Sequence, residues 1–194
     1  MSAPERFDLR EITPQPWKNG AGLTREIAFG GASRADFDWR LSVAEVECDA
    51  PFSAFPGIDR CIVLLRGAGM RLRSRDGAVD HALSERLVPF RFSGDVALDA
   101  TLANGPGSDF NVMTRRRRFS SAVSCHRRGA ELQGADVTLL LCDAGEWRVT
   151  LDAALTFGPL QAMLWREPIA TLRIEPLGGP SALLLVRLCH DHAP

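Results

Sequence analysis

Tyrosine is absent from this 194-residue chain, and histidine occurs only 4 times. The first absence removes a tyrosine general acid of the kind some sugar epimerases use. The second bears on metals. A site built from two neighbouring His, a carboxylate and a third His needs imidazoles that converge, and His81, His126, His190 and His192 are not spaced to do so. The tail His190-Asp191-His192 could hold a metal weakly at the surface, but a frayed, solvated end is the commoner use of such residues. We therefore expect no metal and no cofactor. The 5 Cys are odd in number, scattered, mostly within apolar runs and without a CxxC pair, which favours reduced core thiols over disulfides or a zinc site.

No stretch approaches the apolar length of a membrane span, and the opening MSAPERFDLRE is charged where a signal peptide needs its apolar region. Cytoplasmic residence is the resulting expectation. A net charge of -1 and a pI near 6.4 give no general attraction to nucleic acid or to an anionic membrane surface. The expected partner is a small molecule or another protein; the oligomeric state, a homodimer included, stays open. Phosphate-binding loops are missing too, because Lys18 in WKNGAG precedes the glycines instead of closing them. No GxSxG elbow and no Ser/His/Asp or Cys/His constellation occurs. Nor does any long helical period appear.

What the chain does have is strand pattern. With 45% hydrophobic and 24% charged residues it reads as ordinary globular protein. Cys61 to Leu65 is a continuous apolar run stopped by Gly67-Ala68-Gly69, which predicts a strand buried on both faces, with Arg60 at its entrance. An always-charged guanidinium there needs solvent, a carboxylate or a bound anion. A structural ion pair with Asp59 or Glu26 and an anion-binding role at a pocket mouth are both open.

Phe37 to Val46 alternates, with Phe37, Trp39, Leu41 and Val43 on one face and Asp38, Arg40, Ser42 and Ala44 on the other. This predicts a half-buried strand whose polar face meets solvent or a pocket wall. Met70 and Leu72 alternate with Arg71 and Arg73, so the Gly67–Gly69 turn predicts a hairpin. Pro89 in the next strand predicts an edge or a bulge. In a further strand Asp109, Asn111 and Met113 share a face opposite Phe110 and Val112. The run Arg115 to Arg118 reads as a solvated strand end and not as a nucleic-acid footprint. Upstream, Trp17, Asn19, Gly20 and Gly22 form a turn-prone loop that could pack Trp17 or present Asn19, Thr24, Arg25 and Glu26 to a ligand.

Strands recur at 137–142, 146–151, 161–166, 172–175 and 183–188. IVLLRGAGMRL at 62–72 and TLLLCDAGEWRVTL at 138–151 share a strand, a small turn ending in Gly and an amphipathic strand, which suggests a diverged internal repeat. The expectation is an all-β protein of two halves, 1–105 and 106–194, joined near Asn104-Gly105-Pro106-Gly107, each a small antiparallel barrel or jelly roll.

WKNGAGLTREIA, FDWRLSVAEV, PFSAFPGIDRCIVLLRGAGMRL and DFNVM, in this order and spacing, resemble the HutD/Ves family over roughly the first 115 residues; the second half resembles it only in strand pattern. The resemblance implies a bicupin, two cupin-like (RmlC-like jelly roll) β-sandwiches in one chain. It also implies a link to bacterial histidine utilisation, restrained by binding of a pathway intermediate, or, for Ves members, a link to stress. No catalysis is established for the family, so catalytic residues stay unknown. Arg60 matches the family's pocket Arg, and Asn19, Gly20, Thr24, Arg25 and Glu26 match its N-terminal signature; Ala21 stands where Gly is frequent.

The expected function is therefore binding of a small carboxylate, formyl- or formimino-glutamate or urocanate, by Arg60 through two parallel hydrogen bonds. Arg40 and Ser42 from the neighbouring strand and Asn19 and Thr24 from the loop would support it, and Asp109 and Asn111 complete the candidate set. The alternative is a metal-independent enzyme acting on such an acid, with Glu26 or Asp109 carrying the proton.

Overall fold

The computed structural model describes residues 3–191, and among them there is no helix, hence none long and apolar enough to cross a membrane. The chain forms two compact units, Thr13–Ser120 and a second made of residues up to Ile12 with Ser121–Asp191. After β1 (Glu5–Asp8), the strands of the first unit are β2 (Gln15–Pro16), β3 (Gly22–Gly31), β4 (Phe37–Val46), β5 (Ala50–Phe52), β6 (Ile58–Arg66), β7 (Met70–Ser74), β8 (Asp80–Leu83), β9 (Pro89–Ser93), β10 (Leu98–Leu102) and β11 (Gly107–Arg115). There follow β12 (Phe119–His126), β13 (Ala130–Gln133), β14 (Val137–Ala144), β15 (Trp147–Thr150), β16 (Ala154–Phe157), β17 (Gln161–Trp165), β18 (Thr171–Pro176) and β19 (Ala182–His190).

In Thr13–Ser120 a six-stranded sheet of order β2-β3-β4-β11-β6-β9 accompanies a four-stranded sheet of order β5-β10-β7-β8. Their shared core includes Val46, Ile62, Leu64, Leu72, Phe92 and Leu98. The second unit repeats the plan with β1-β17-β14-β19-β12 and β13-β18-β15-β16. Its core gathers Leu140, Trp147, Met163, Ile174 and Leu183. Adding eight to each label of β4 to β11 gives β12 to β19 in the same sheet orders, so the internal repeat is a repeat of topology. Eight strands in two sheets, twice over, is a pair of jelly rolls.

Several local expectations hold. β6 is buried on both faces from Cys61 to Leu64. β9, opened by Pro89, is the edge of its sheet, where a missing N–H costs no ladder bond. Asp109, Asn111 and Met113 share a face of β11, paired in register with Ala44, Ser42 and Arg40 of β4.

Others are corrected. Gly67–Gly69 makes no hairpin: β6 lies in the six-stranded sheet and β7 in the four-stranded one, where it pairs with β8 and β10. Both glycines have positive φ, +89° and +92°, and a Cβ at either would run into backbone, of Pro106 and Gly107 or of Leu83, so the turn that crosses between the sheets requires glycine at both positions. Alternation marks a strand but does not name its neighbour. The same physics moves the internal boundary, because β11, beyond the 104–107 loop, fills the place between β4 and β6. Of the two settings open to the polar face of β4, bulk solvent is the one excluded, since Ser42 and Ala44 are buried and line a cavity. His81 sits in β8, stacked on Phe90 at 3.6 Å between ring centres. Of the free cysteines, Cys61 and Cys142 are core thiols, whereas Cys48 and Cys189 are exposed. His192 lies outside the described residues.

Candidate functional site

The inward face of the six-stranded sheet carries polar side chains where a sandwich would ordinarily be apolar. Register puts Arg60 of β6 beside Met113 of β11, and Met113 beside Arg40 of β4. One step along, Ile62, Asn111 and Ser42 lie in a row. All of these but Ile62 floor a cavity of about 590 Å³, whose remaining wall comes from Gln15–Asn19, Thr24, Ala44, Pro51–Ser53 and Phe55. That volume suits a small metabolite.

Arg60 is third in its strand and not at the entrance, and it is 6% exposed. Its guanidinium carbon lies 5.0 Å from the ring centre of Phe92, 5.5 Å from that of Phe55 and 5.6 Å from that of Phe52. Three ring faces attract a cation but satisfy none of its N–H groups. Its Nη2 donates to Asn111 Oδ1 at 2.7 Å, and Asn111 Nδ2 in turn donates to Asp109 Oδ1. Arg60 Nε and Asp109 Oδ2 are buried without a hydrogen-bond partner.

Neither ion pair anticipated for Arg60 forms. Asp59 is taken by Arg116 at 2.7 Å, and Glu26 by Arg40 at 2.7 Å and Arg34 at 2.8 Å. The carboxyl that compensates it is Asp109, reached through Asn111. Burial pushes the Asp109 carboxyl up to about 7, opposed by the Arg60 charge and the Asn111 hydrogen bond. Burial likewise lowers Arg60, to about 10, with Asp109 pulling upward and Arg40 downward. Arg60 thus stays cationic at neutral pH.

The other expected residues divide cleanly. Asn19, Thr24, Arg40, Ser42, Arg60 and Asn111 all line the cavity. Asn19 Oδ1 accepts the Ala21 N–H at 3.1 Å, a local turn bond that leaves its amide nitrogen for other partners. Gly20 shapes the same turn with φ +71° and does not line the cavity. Arg25 points to the other face of β3 and pairs with Glu45. Glu26 holds Arg40 in place from behind the wall, and Asp109 lies beneath Asn111.

The aromatic cage and Trp17 were not recognised as a unit in the sequence. Trp17 Nε1 donates to Thr24 Oγ1 at 2.7 Å, and its ring meets Phe52 edge-on at 5.8 Å. The signal available was Phe52 and Phe55 flanking the approach to Arg60. The arginine run is accounted for on the surface: Arg115 pairs with Asp36, Arg116 with Asp59 and Asp95, and Arg118 with Asp38.

Two tandem jelly rolls, the first holding a polar cavity, define a cupin-like protein with two β-sandwiches in one chain. A cupin 2 conserved barrel domain protein from Leptotrichia buccalis shares this fold with a TM-score of 0.62 over 96% of this chain and 97% of that one, at 9% identity. More particularly, the chain belongs to the HutD family, whose model matches residues 9–179 and so extends well into the second half. It is 37% identical over 171 residues to Protein Ves of Citrobacter koseri, spanning 88% of this chain and 87% of that protein. HutD from Pseudomonas fluorescens SBW25 is similar with a TM-score of 0.83 and 28% identity over 97% of this chain and 99% of that one.

Proposed function

We propose that the cavity of the Thr13–Ser120 unit binds a small carboxylate, with Arg60 as its anchor. The observation that carries this reading is a buried guanidinium ringed by three phenylalanines, with one side-chain hydrogen bond to Asn111 and an unpartnered Nε. A carboxylate completes such a group better than any other common ligand, since it accepts two parallel N–H bonds. Asn111, Ser42, Thr24 and Asn19 offer hydrogen bonds to the rest of the molecule. Membership of the HutD family supports intermediates of histidine utilisation as the candidates: formyl-glutamate, formimino-glutamate or urocanate. Such a protein would act in the cytoplasm, without metal, as a binding and modulating component.

Calorimetric titration of the three acids into the wild-type protein and into Arg60→Met tests the reading. At least one acid should bind, and loss of a charge-assisted two-bond contact should weaken it at least about tenfold. Binding of none, or equal affinity in the variant, would overturn it. A second reading, a metal-independent acid–base enzyme, draws on the Asp109 carboxyl standing near neutrality. Against it, Asp109 does not line the cavity. Following each acid by NMR during incubation with the protein would reveal turnover.

A further inference from the structure

Asp109, Asn111 and Arg60 form a buried chain that has an unfilled valence at each end. Asp109 is 0% exposed, so its charge has no water to lean on. On β4 the register neighbour is Ala44, with Ser42 and then Arg40 along the same face. Arg40 is already held by Glu26 of β3. On β6 the sequence along that face is Leu64, Ile62, Arg60. Arg25 and Glu45, turned to the opposite face, pair with each other. Phe52, Met70, Leu72, Leu98 and Ala100 of the four-stranded sheet form one apolar core with Val46, Ile62 and Leu64 of the six-stranded sheet, and His81 is stacked on Phe90. Among the described residues, Arg60 is thus the one cation coupled to Asp109, through a single intervening amide.

We propose, building on the carboxylate-binding reading, that the site takes its ligand up as an acid: each carboxylate that docks on Arg60 brings one proton from solvent onto Asp109. A ligand anion entering an ionised site would place two carboxylates around one buried guanidinium, one of them, Asp109, out of reach of water. Like charges in such a place cannot both persist, and the cheaper course is protonation of the one already cut off from water. One proton leaves bulk solvent, one carboxyl O–H forms on Asp109, and the buried charge remains one guanidinium against one ligand carboxylate. Asn111 needs no rearrangement, because a protonated carboxyl still offers an oxygen to its Nδ2. Asp109 is a positioning residue whose protonation state decides how much of the Arg60 charge is free for the ligand. The amide isostere of a ligand brings no charge and should draw in no proton.

Proton uptake is read by titrating the full chain with urocanate and with N-formyl-glutamate in two buffers of different ionisation enthalpy. Because the empty-site carboxyl stands near 7, uptake should approach one proton per ligand at pH 8 and fall toward zero at pH 5.5. Over the same range Kd should rise toward about tenfold per pH unit above neutrality. Asp109→Asn should bind within a few-fold of the low-pH wild type, with no uptake and a flat pH profile. Should that variant fail to fold, the two-buffer measurement on the wild type decides alone. Binding without uptake at pH 8, or uptake that persists in Asp109→Asn, overturns the inference and leaves carboxylate binding standing. If neither acid binds at either pH, the inference falls with the carboxylate reading.

Discussion

The most consequential residue after Arg60 is Asp109, because its carboxyl takes up a proton both on folding and on ligand binding. Buried, it holds its proton up to about 7, whereas the unfolded chain releases it near the ordinary 3.8 of an aspartate. Between those values the native state binds more proton than the unfolded one, so this group's contribution to stability is complete below about 4 and declines as pH rises toward 7. In urea titrations the midpoint of Asp109→Asn should therefore vary less between pH 4.5 and 7.5 than that of the wild type. An equal slope would place the proton elsewhere. Arg60→Met belongs to the same argument. Removing one partner of a buried pair typically costs about 3–5 kcal/mol when the other must stay charged. Here Asp109 can neutralise itself by keeping its proton. Destabilisation by Arg60→Met should accordingly be small at pH 6 and grow by pH 8.5. A large loss at both pH values would mark Arg60 as a structural residue first.

At the scale of elements, β3 is where turn, strand and cavity rim depend on one residue. A Cβ on Gly22 would run into the Glu45 carbonyl of the paired strand and touch the Trp17 ring. The Trp17 N–H donates to the Gly22 carbonyl at 2.9 Å, so displacing one displaces the other. Gly22→Ala should cost about 1–3 kcal/mol, as overpacking does, and weaken ligand binding through the shifted Trp17. Gly20, with φ +71° and open space around it, should accept Asn with little change in melting temperature. The pair of melting curves separates close approach from turn conformation. Element-scale features were also the most legible in the sequence. Alternation in 37–46 placed Arg40 and Ser42 on one face, and that face is a cavity wall. The cage was not legible, because Phe52, Phe55 and Phe92 converge on Arg60 from a strand, a loop and an edge strand. The partner of Arg60 was missed for the same reason. Asn111 is 51 residues away and meets Arg60 only through the pairing of β6 with β11.

At the scale of the whole chain, the internal repeat was visible but its boundaries were not. Repeated hairpin-like text at 62–72 and 138–151 does correspond to equivalent strands, yet a turn of Asn, Gly and Pro at 104–107 cannot announce that the next strand returns to the sheet before it. Nor can four residues at the start reveal a partner more than 150 positions away. β1 pairs with β17 from Glu5–Leu164 to Asp8–Gln161. Glu5 also meets Arg166 at 2.6 Å, Arg6 donates to the Thr156 carbonyl at 2.8 Å, and buried Leu9 donates its N–H to Leu160. A chain starting at Thr13 would lose all of these and leave β17 as an open edge with Ala162, Met163 and Leu164 behind it. Such edges recruit other strands. In hydrogen exchange the truncated chain should lose protection in β17 and then β14, while β3, β4, β6 and β11 keep theirs; it should also aggregate sooner on warming. Loss spread evenly over both units, or no loss at all, would show that the first residues do not belong to the Ser121–Asp191 unit. Ligand affinity supplies the complementary reading. Every group that lines the cavity lies between Gln15 and Met113, so a truncated chain that remains folded should bind the same acids within a few-fold of the full one.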